Sequence, residues 1–561
     1  MNRTISFAIA IGALSLSTTT FAQQPAATDA ARRESVVQQA MRTYRQDLDS
    51  IVATAAANQP GTRSGDLREL RLEDVVSLAL EKNLDIQVAK LEPQSVDFLV
   101  AGFRNLYRPA LSSTVGLRDQ YQLPTSSLNG GTKVNNGTRT YNFGMSQLVN
   151  KFGGSYTLNW SNSRLETSNS FSTFNPSFQT NLVGAYSQPL LRGFKIDNNR
   201  QQLMIQTINR DISEESARAT VTQTLANVRN AYWDLVFAVS AVDVAQRAQE
   251  LADKLVEDNQ ARVEVGTLAP LDIVQAQAEA ATRRQNMAAA EATLQTAELT
   301  LKRFIVSGTD DPMWRQTLRP VDLPSLQPPP TDVEGAVRKA LLERTDISAA
   351  RKNLDSSDIT IRFFKNQSMP ALDLNASYGA QGLGGTAITR TGPLGNQTIT
   401  AIDPGGYADA LRLLGQREYP TWNLNVTMSY PIGGNQSEAQ HARARIQRSQ
   451  AQTRLRALEI QIAAEVANAA LTVQSNLKRI EAATAARELA QKRLEAEQSR
   501  FEVGITTNFF VVQAQRDLRD AQNTELRALA DYRKSLVNFE RAQQSPAGGG
   551  GGGLNAATGG Q

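Results

Sequence analysis

The sequence predicts an α+β protein of two related halves, each holding a block of β-strands among helices and closing on a long helical hairpin. Three observations carry that reading. One motif occurs twice, the hydrophobic period changes from helical to strand-like after a proline in each half, and beyond the N-terminus no apolar run reaches the roughly eighteen residues a membrane helix needs.

The motif is Arg262-Val-Glu-Val-Gly266 leading into Val274-Gln-Ala-Gln277, and again Arg500-Phe-Glu-Val-Gly504 leading into Val512-Gln-Ala-Gln515. At an offset of 238 residues the two windows agree at eight of sixteen positions, against about one expected from composition. In each copy a glycine stands where a long helical pattern stops and a shorter one begins a few residues on, so each reads as the turn of a helical hairpin.

Composition excludes several chemistries. The 561 residues carry a net charge of +4 with Lys+Arg and Asp+Glu nearly balanced, so no surface dedicated to nucleic acid or another polyanion is expected. With no cysteine and one histidine, His441, thiolate metal sites and Cys nucleophiles are absent, a Ser/His triad is not expected, and neither an enzyme nor a bound cofactor is indicated. Residues 1–22 read as a signal peptide, with Arg3, an apolar run from Ile5 to Leu16 and Thr20-Phe21-Ala22 at the cleavage point. Any membrane crossing by the exported chain must then use β-strands.

After an N-terminal extension (23–70), the first repeat (71–305) opens with a helix from Asp74 to about Leu106, bearing Val76, Leu80, Leu84, Val88 and Leu91 on one side and ending before Pro109. Strands are expected over 109–190 and a helical hairpin over 196–305. A proline-rich connector (306–332) leads to the second repeat (333–541): a helix from Val333 to about Phe364, strands over 370–432 and a hairpin over 436–541. The Gly-rich tail (542–561) is too poor in apolar residues to fold. Two Gly/Asn/Thr-rich loops are expected, Leu123 to Thr138 and Gln381 to Glu418. The first strand region is longer than the second by 19 positions, which marks the hairpin at Tyr141 to Ser163 as an addition.

Within the strands Leu, Val, Met, Trp and Tyr alternate with Asn, Ser and Thr. That pattern fits a soluble sandwich with an apolar core, and equally an outer-membrane barrel with apolar residues in lipid and polar ones lining a lumen. Aromatics at strand ends, Trp160, Tyr186, Trp422 and Tyr430, suit the interfaces of a membrane. If the strands do span a membrane, one chain cannot close the wall, because about eight strands is the smallest closed form and sheet edges are not tolerated in lipid.

The long helices run from about Ile196 to Val263 and from about Gln436 to Phe501. The second has apolar residues at Leu455, Leu458, Ile462, Val466, Ala469, Val473, Leu477 and Ile480, an eleven-residue repeat, while Val221, Leu225, Val228, Tyr232, Leu235, Val239 and Val242 of the first step as a heptad does. Such narrow seams suit a cylinder wall or an extended coiled-coil rod. Most carboxylates lie three or four residues from Arg or Lys and read as solvated helix-face charges.

With Gln188-Pro-Leu-Leu-Arg-Gly193 closing the first strand set, the two-fold repeat and the two Arg-x-Glu-Val-Gly turns, the chain resembles the TolC-type outer-membrane efflux proteins from about Leu70 to Arg541. The resemblance implies a homotrimer in outer-membrane lipid, with four main strands per chain making one twelve-stranded barrel. Below it a long α-helical tunnel crosses the periplasm, where an inner-membrane pump docks through a periplasmic adaptor protein. It implies an exit duct for efflux or type I secretion. Adaptor contact maps onto Arg262, Val265, Gly266 and Thr267 and onto Arg500, Val503 and Gly504; Asp272 maps onto an acidic latch residue. Where relatives carry two gate carboxylates this chain has Phe510 and Gln513, and where they carry a latch Arg and Tyr it has Thr506 and Phe501. An apolar gate of Phe509 or Phe510 from three chains is therefore expected, unless both rings pack between helices. The competing reading is a secreted coiled-coil scaffold without channel activity, which would need no detergent for extraction.

Overall fold

A computed structural model describes residues 67–124, 133–266, 270–322, 332–393, 397–432 and 434–546. The expected signal peptide, nearly all of the extension, the later part of the proline-rich connector (323–331) and most of the tail lie outside the described residues. The chain divides into two units. Among its described residues the smaller holds Ser307–Thr317, where Pro312–Trp314 forms a single 3-10 turn capped by Asp311, whose carboxylate accepts from the Met313 amide at 3.0 Å.

In chain order the elements are β1 (Leu67–Leu70), α1 (Leu72–Lys82), α2 (Leu84–Asn105), β2 (Ala110–Gln122), β3 (Val134–Leu148), β4 (Ser155–Thr167), β5 (Phe174–Pro189), α3 (Asn198–Glu264), α4 (Pro270–Ile305), β6 (Thr317–Pro320), α5 (Val333–Glu343), α6 (Thr345–Gln367), β7 (Ala371–Thr391), β8 (Thr398–Asp403), α7 (Tyr407–Gln416), β9 (Pro420–Ser429), α8 (Gln436–Glu502) and α9 (Asn508–Ala542). The long helices α3 and α8 each hold 67 residues, about 100 Å at 1.5 Å per residue.

Two helices expected to be continuous are broken. Between α1 and α2, Asn83 is extended (φ −63°, ψ 125°); its side chain accepts from the Ile86 amide at 3.1 Å and donates to the Phe304 carbonyl at 2.9 Å. An Asn that caps one helix while binding another fixes the break. In the second half Arg344 takes the same place, also extended, held by Asp346, Glu465 and the Ala542 carbonyl.

A second difference concerns the α1–α2 surface. The expected apolar side is not covered within the chain: Leu80, Leu84, Val88 (65 % exposed) and Leu91 face outward, joined by Phe98 (79 %) and Leu99, whereas Val75, Ala79, Ile86 and Val100 are buried. Along α8 the eleven-residue seam holds: Ile462, Val466, Val473 and Ile480 are buried, and Leu455, Leu458, Ala469 and Leu477 pack against them.

Where the long second loop was expected, β7 continues to Thr391, β8 pairs back on it, and α7 covers the outer part of β5 and β7. Gly382 and Gly384 form the floor under α7, where a Cβ would come within 1.9 Å of the Ala410 carbonyl and 2.5 Å of that of Gly406. Leu123 to Thr138 is likewise partly strand, β3 beginning at Val134.

The antiparallel sheet runs β2-β3-β4-β5-β7-β8, with β9 also on β7. The four strands joined directly to helices are β2, β5, β7 and β9, and the β3–β4 hairpin supplies two more of full length. Directly opposed residues share a face, so register assigns the faces. One carries Leu111, Val115 and Leu117 of β2, Tyr141, Phe143 and Met145 of β3, Tyr156, Leu158 and Trp160 of β4, Leu182 and Tyr186 of β5, Leu372, Leu374 and Tyr378 of β7, and Trp422, Leu424, Val426 and Met428 of β9. The other carries Ser, Thr, Asn and Gly. It is the concave face: a hollow of about 280 Å³ opens there, lined by Thr157, Ser187, Asn375, Ser377, Asn423 and Asn425.

Among the described residues no helix is long and apolar enough to cross a membrane. Midway along α3, the single hydroxyl proton of buried Tyr232 is within reach of Asp322 at 2.9 Å and of the Leu70 carbonyl at 3.2 Å, while Asp322 accepts from the Leu72 amide at 2.7 Å. Burial, with the bond to Asp322, raises the phenol above its usual pKa. Tyr232→Phe is expected to cost about 1–2 kcal/mol of stability, measured by urea unfolding in detergent; an unchanged midpoint would refute this staple.

Candidate functional site

The two motif turns are built alike. α3 is capped by Val265 and α8 by Val503 in the same conformation (φ −89°, ψ 4° and 5°), and each cap is followed by a left-handed glycine, Gly266 at φ +76° and Gly504 at φ +78°. The Gly504 amide donates to the Phe501 carbonyl at 3.2 Å and the Ile505 amide to that of Arg500 at 2.9 Å, the paired bonds that satisfy a helix C-terminus. At the first turn the Gly266 amide donates to the Val263 carbonyl at 2.9 Å; Thr267 lies outside the described residues. Only glycine takes this conformation without strain.

Both turns present apolar side chains to solvent. Val265, Leu271 and Val274 are exposed at one, Val503 and Ile505 at the other. Arg500 is exposed and pairs with Glu497 at 2.9 Å. Arg262 instead reaches the second hairpin, its guanidinium 4.6 Å from the Phe501 ring centre and donating to the Phe501 carbonyl at 3.4 Å. Phe501 is buried, in a cluster with Leu255, Leu494, Val511, Ala514 and Leu518. The turns are thus tied by a cation over an aromatic face.

Past Gly504, Phe509 (59 % exposed) and Phe510 (49 % exposed) meet edge to face at 5.6 Å. Neither is packed between helices of its own chain. Gln513 donates to Asp517 at 2.9 Å, and Thr506 is half-buried. Asp272 is half-buried in the first turn of α4.

The principal tie between hairpins was not singled out from sequence. Two turns above Asp272, Glu279 is buried and binds both Arg283, buried on its own helix, and Arg516 of α9, whose Nε donates at 3.1 Å. Burial pushes the Glu279 carboxyl up, but the Arg516 hydrogen bond and the Arg283 charge outweigh it and hold the group below its usual range. Arg283, four residues from Glu279, reads in sequence as another solvated face pair; only the packing shows that the pair is enclosed. Flanking bonds join the helices of each hairpin: Arg284 to Asp253 at 2.9 Å, Arg493 to Asp517 at 2.8 Å and Arg487 to Glu525 at 2.7 Å.

At the sheet, Trp160 sits beside Phe143 (5.8 Å) and donates to Thr180 at 2.9 Å. Tyr186 opposes Tyr156, Trp422 opposes Tyr378, and Tyr430 follows β9. Trp160, Tyr186 and Trp422 all lie on the apolar face.

The sequence model of the family described as outer membrane efflux protein matches residues 132–305 and 336–543. The chain belongs to this family. Among solved structures this outer membrane efflux protein is similar to the CmeC outer membrane channel of Campylobacter jejuni (16% identity over 84% of this chain and 85% of that one, TM-score 0.60). It is also similar to the outer membrane protein VceC of Vibrio cholerae (16%, 84% and 95%, TM-score 0.58) and to the open state of the MtrE outer membrane channel of Neisseria gonorrhoeae (17%, 84% and 88%, TM-score 0.56). Comparison with curated protein sequences gives no match. The efflux protein thus has the mixed fold of these channels, a barrel-forming sheet continued by a helical tunnel section.

Proposed function

We propose that three copies of this outer membrane efflux protein form a passive exit duct in the bacterial outer membrane. The helical part stands in the periplasm and receives substrate from an inner-membrane pump through a periplasmic adaptor. The observation that carries the reading is the two-faced sheet, apolar on its outward face and lined with Ser, Thr and Asn on its concave face, which suits lipid outside and water inside. The uncovered stripe of Leu84, Val88, Leu91, Phe98 and Leu99 on α2, and Ile446, Ile460 and Leu471 on α8, supply apolar surface for the neighbouring copies. The exposed Val265, Val503 and Ile505 beside the turns suit adaptor contact. No bond chemistry is involved.

The test is biochemical. The protein should require detergent, run as a heat-modifiable trimer and conduct ions in planar bilayers; a protein soluble without detergent that carries no current would be a scaffold instead. Crosslinking from positions beside Gly266 and Gly504 in cells should capture the adaptor.

Phe509 and Phe510 are assigned to an apolar gate that stops ions by dewetting. Phe510→Ala, and to a lesser degree Phe509→Ala, is expected to raise the open fraction several-fold in planar bilayers. If neither changes it, the rings have no gating role.

A further inference from the structure

We infer that all six long strands of each chain stand in the membrane wall, so that three chains close an eighteen-stranded barrel rather than the twelve-stranded one implied by resemblance. The inference rests on the trimeric duct proposed above and concerns what its wall is made of.

The hairpin β3–β4 is inserted into the sheet, not appended to it. β3 pairs with β2 over thirteen positions and with β4 over thirteen, and β4 pairs with β5 over eleven. The order places both strands between β2 and β5. Moving the hairpin out of the wall would break the β2–β3 and β4–β5 ladders and require β2 and β5 to pair directly, a pairing that the structure does not show; left unpaired, their edges would not be tolerated in lipid.

The side chains agree. Tyr141, Phe143, Met145, Tyr156, Leu158 and Trp160 continue the apolar face, while Thr140, Asn142, Asn159 and Ser161 continue the polar one. An external cap, wet on both faces, would need no such division. The hairpin also runs the full height of the sheet. Its turn reaches the start of the periplasmic helices, where Phe152 stacks on Phe194 at 4.9 Å and the Phe152 carbonyl accepts from Gln188 at 2.8 Å.

Closure is geometrically open to copies of the chain. One free edge is β2, which runs away from the helices; the other is β9, which runs back toward them, with the short β8 beyond it along β7. Arranged in a ring, β9 of one copy meets β2 of the next antiparallel, and the strand total is even. Because barrel diameter grows roughly linearly with strand number, the wall is about 1.5 times as wide as a twelve-stranded one. The outer-membrane segment then stops being a sieve, and size selection falls to the periplasmic turns.

The experiment is electron cryomicroscopy of the wild-type trimer in lipid nanodiscs, where eighteen strands are expected; twelve strands in a conducting trimer would overturn the inference and leave the duct intact. A second measurement uses the absence of native cysteine. Fluorophores on Phe143→Cys and Trp160→Cys should be quenched by nitroxide lipids, and Asn142→Cys and Ser161→Cys should react with a membrane-impermeant maleimide without such quenching. Labels at Phe143 and Trp160 that lipid does not reach would sink the proposal even with current present. A protein that forms no conducting trimer overturns this inference and the duct reading together.

Discussion

Arg516→Ala is expected to raise the resting open fraction of the duct by about one to two orders of magnitude. The lost interaction is a charge-assisted bond across two hairpins, and such bonds contribute about 1.5–3 kcal/mol, where each 1.4 kcal/mol is about tenfold in an equilibrium. Arg516 reaches from α9 to Glu279 on α4, and Glu279 is enclosed with Arg283. Removing Arg516 leaves the Glu279–Arg283 pair intact, so folding should survive while the hairpins separate more easily. Glu279→Ala is a harsher change, because it strands Arg283 as a buried charge. Single-channel recording decides: an open fraction unaltered by Arg516→Ala removes this pair from gating.

The same tie sets an acid limit. The Glu279 carboxyl is held below its usual range in the folded state, so its contribution is fully present above the unfolded value and fades as pH falls through the folded one. The groups facing it are the cations Arg283 and Arg516, with Arg519 and Asp520 nearby. Current should therefore stay low at neutral pH and rise only once the pH falls below the usual glutamate range.

Arg344→Ala is expected to cost about 3–5 kcal/mol of stability, the range for breaking a buried ion pair from one side. The guanidinium is 1 % exposed; it donates to Asp346 at 2.8 and 3.1 Å, to Glu465 at 2.9 Å and to the Ala542 carbonyl at 2.8 Å. One residue thus joins the break between α5 and α6 to the middle of α8 and the end of α9. Without it Asp346 is left with the Ile347 amide and Glu465 with Arg541 at 3.6 Å, and the Ala542 carbonyl loses this donor. Urea unfolding and the temperature of trimer dissociation would register the loss; a shift under about 1 kcal/mol would mean that water substitutes for the side chain.

Sequence period sufficed for the sheet faces and for the α8 seam, because strand alternation and the eleven-residue step depend only on which residues share a side. The turn glycines were legible for the same local reason. What sequence hid was decided by distant partners. Asn83 and Arg344 look like ordinary helix positions until Phe304 and Glu465 are beside them. Glu279 and Arg283 look like a surface pair until α9 covers them. The stripe from Leu80 to Leu91 reads as a packing face, yet nothing within the chain covers it. The long loop reading failed because Gly379, Gly382, Gly384 and Gly385 suggest a turn-rich segment, whereas two of them, Gly382 and Gly384, make room for α7 against an extended strand.

The hairpin β3–β4 has no helix beneath it. Its foot at Phe152 rests on Phe194 and Gln188, while β2, β5, β7 and β9 each join directly, or through a short connection, to a helix. In the duct proposed above, the perimeter of the membrane section and the helix count of the tunnel are thus separately adjustable. Strands can be added or removed two at a time, as a self-contained cassette, while the two motif turns keep their number and spacing.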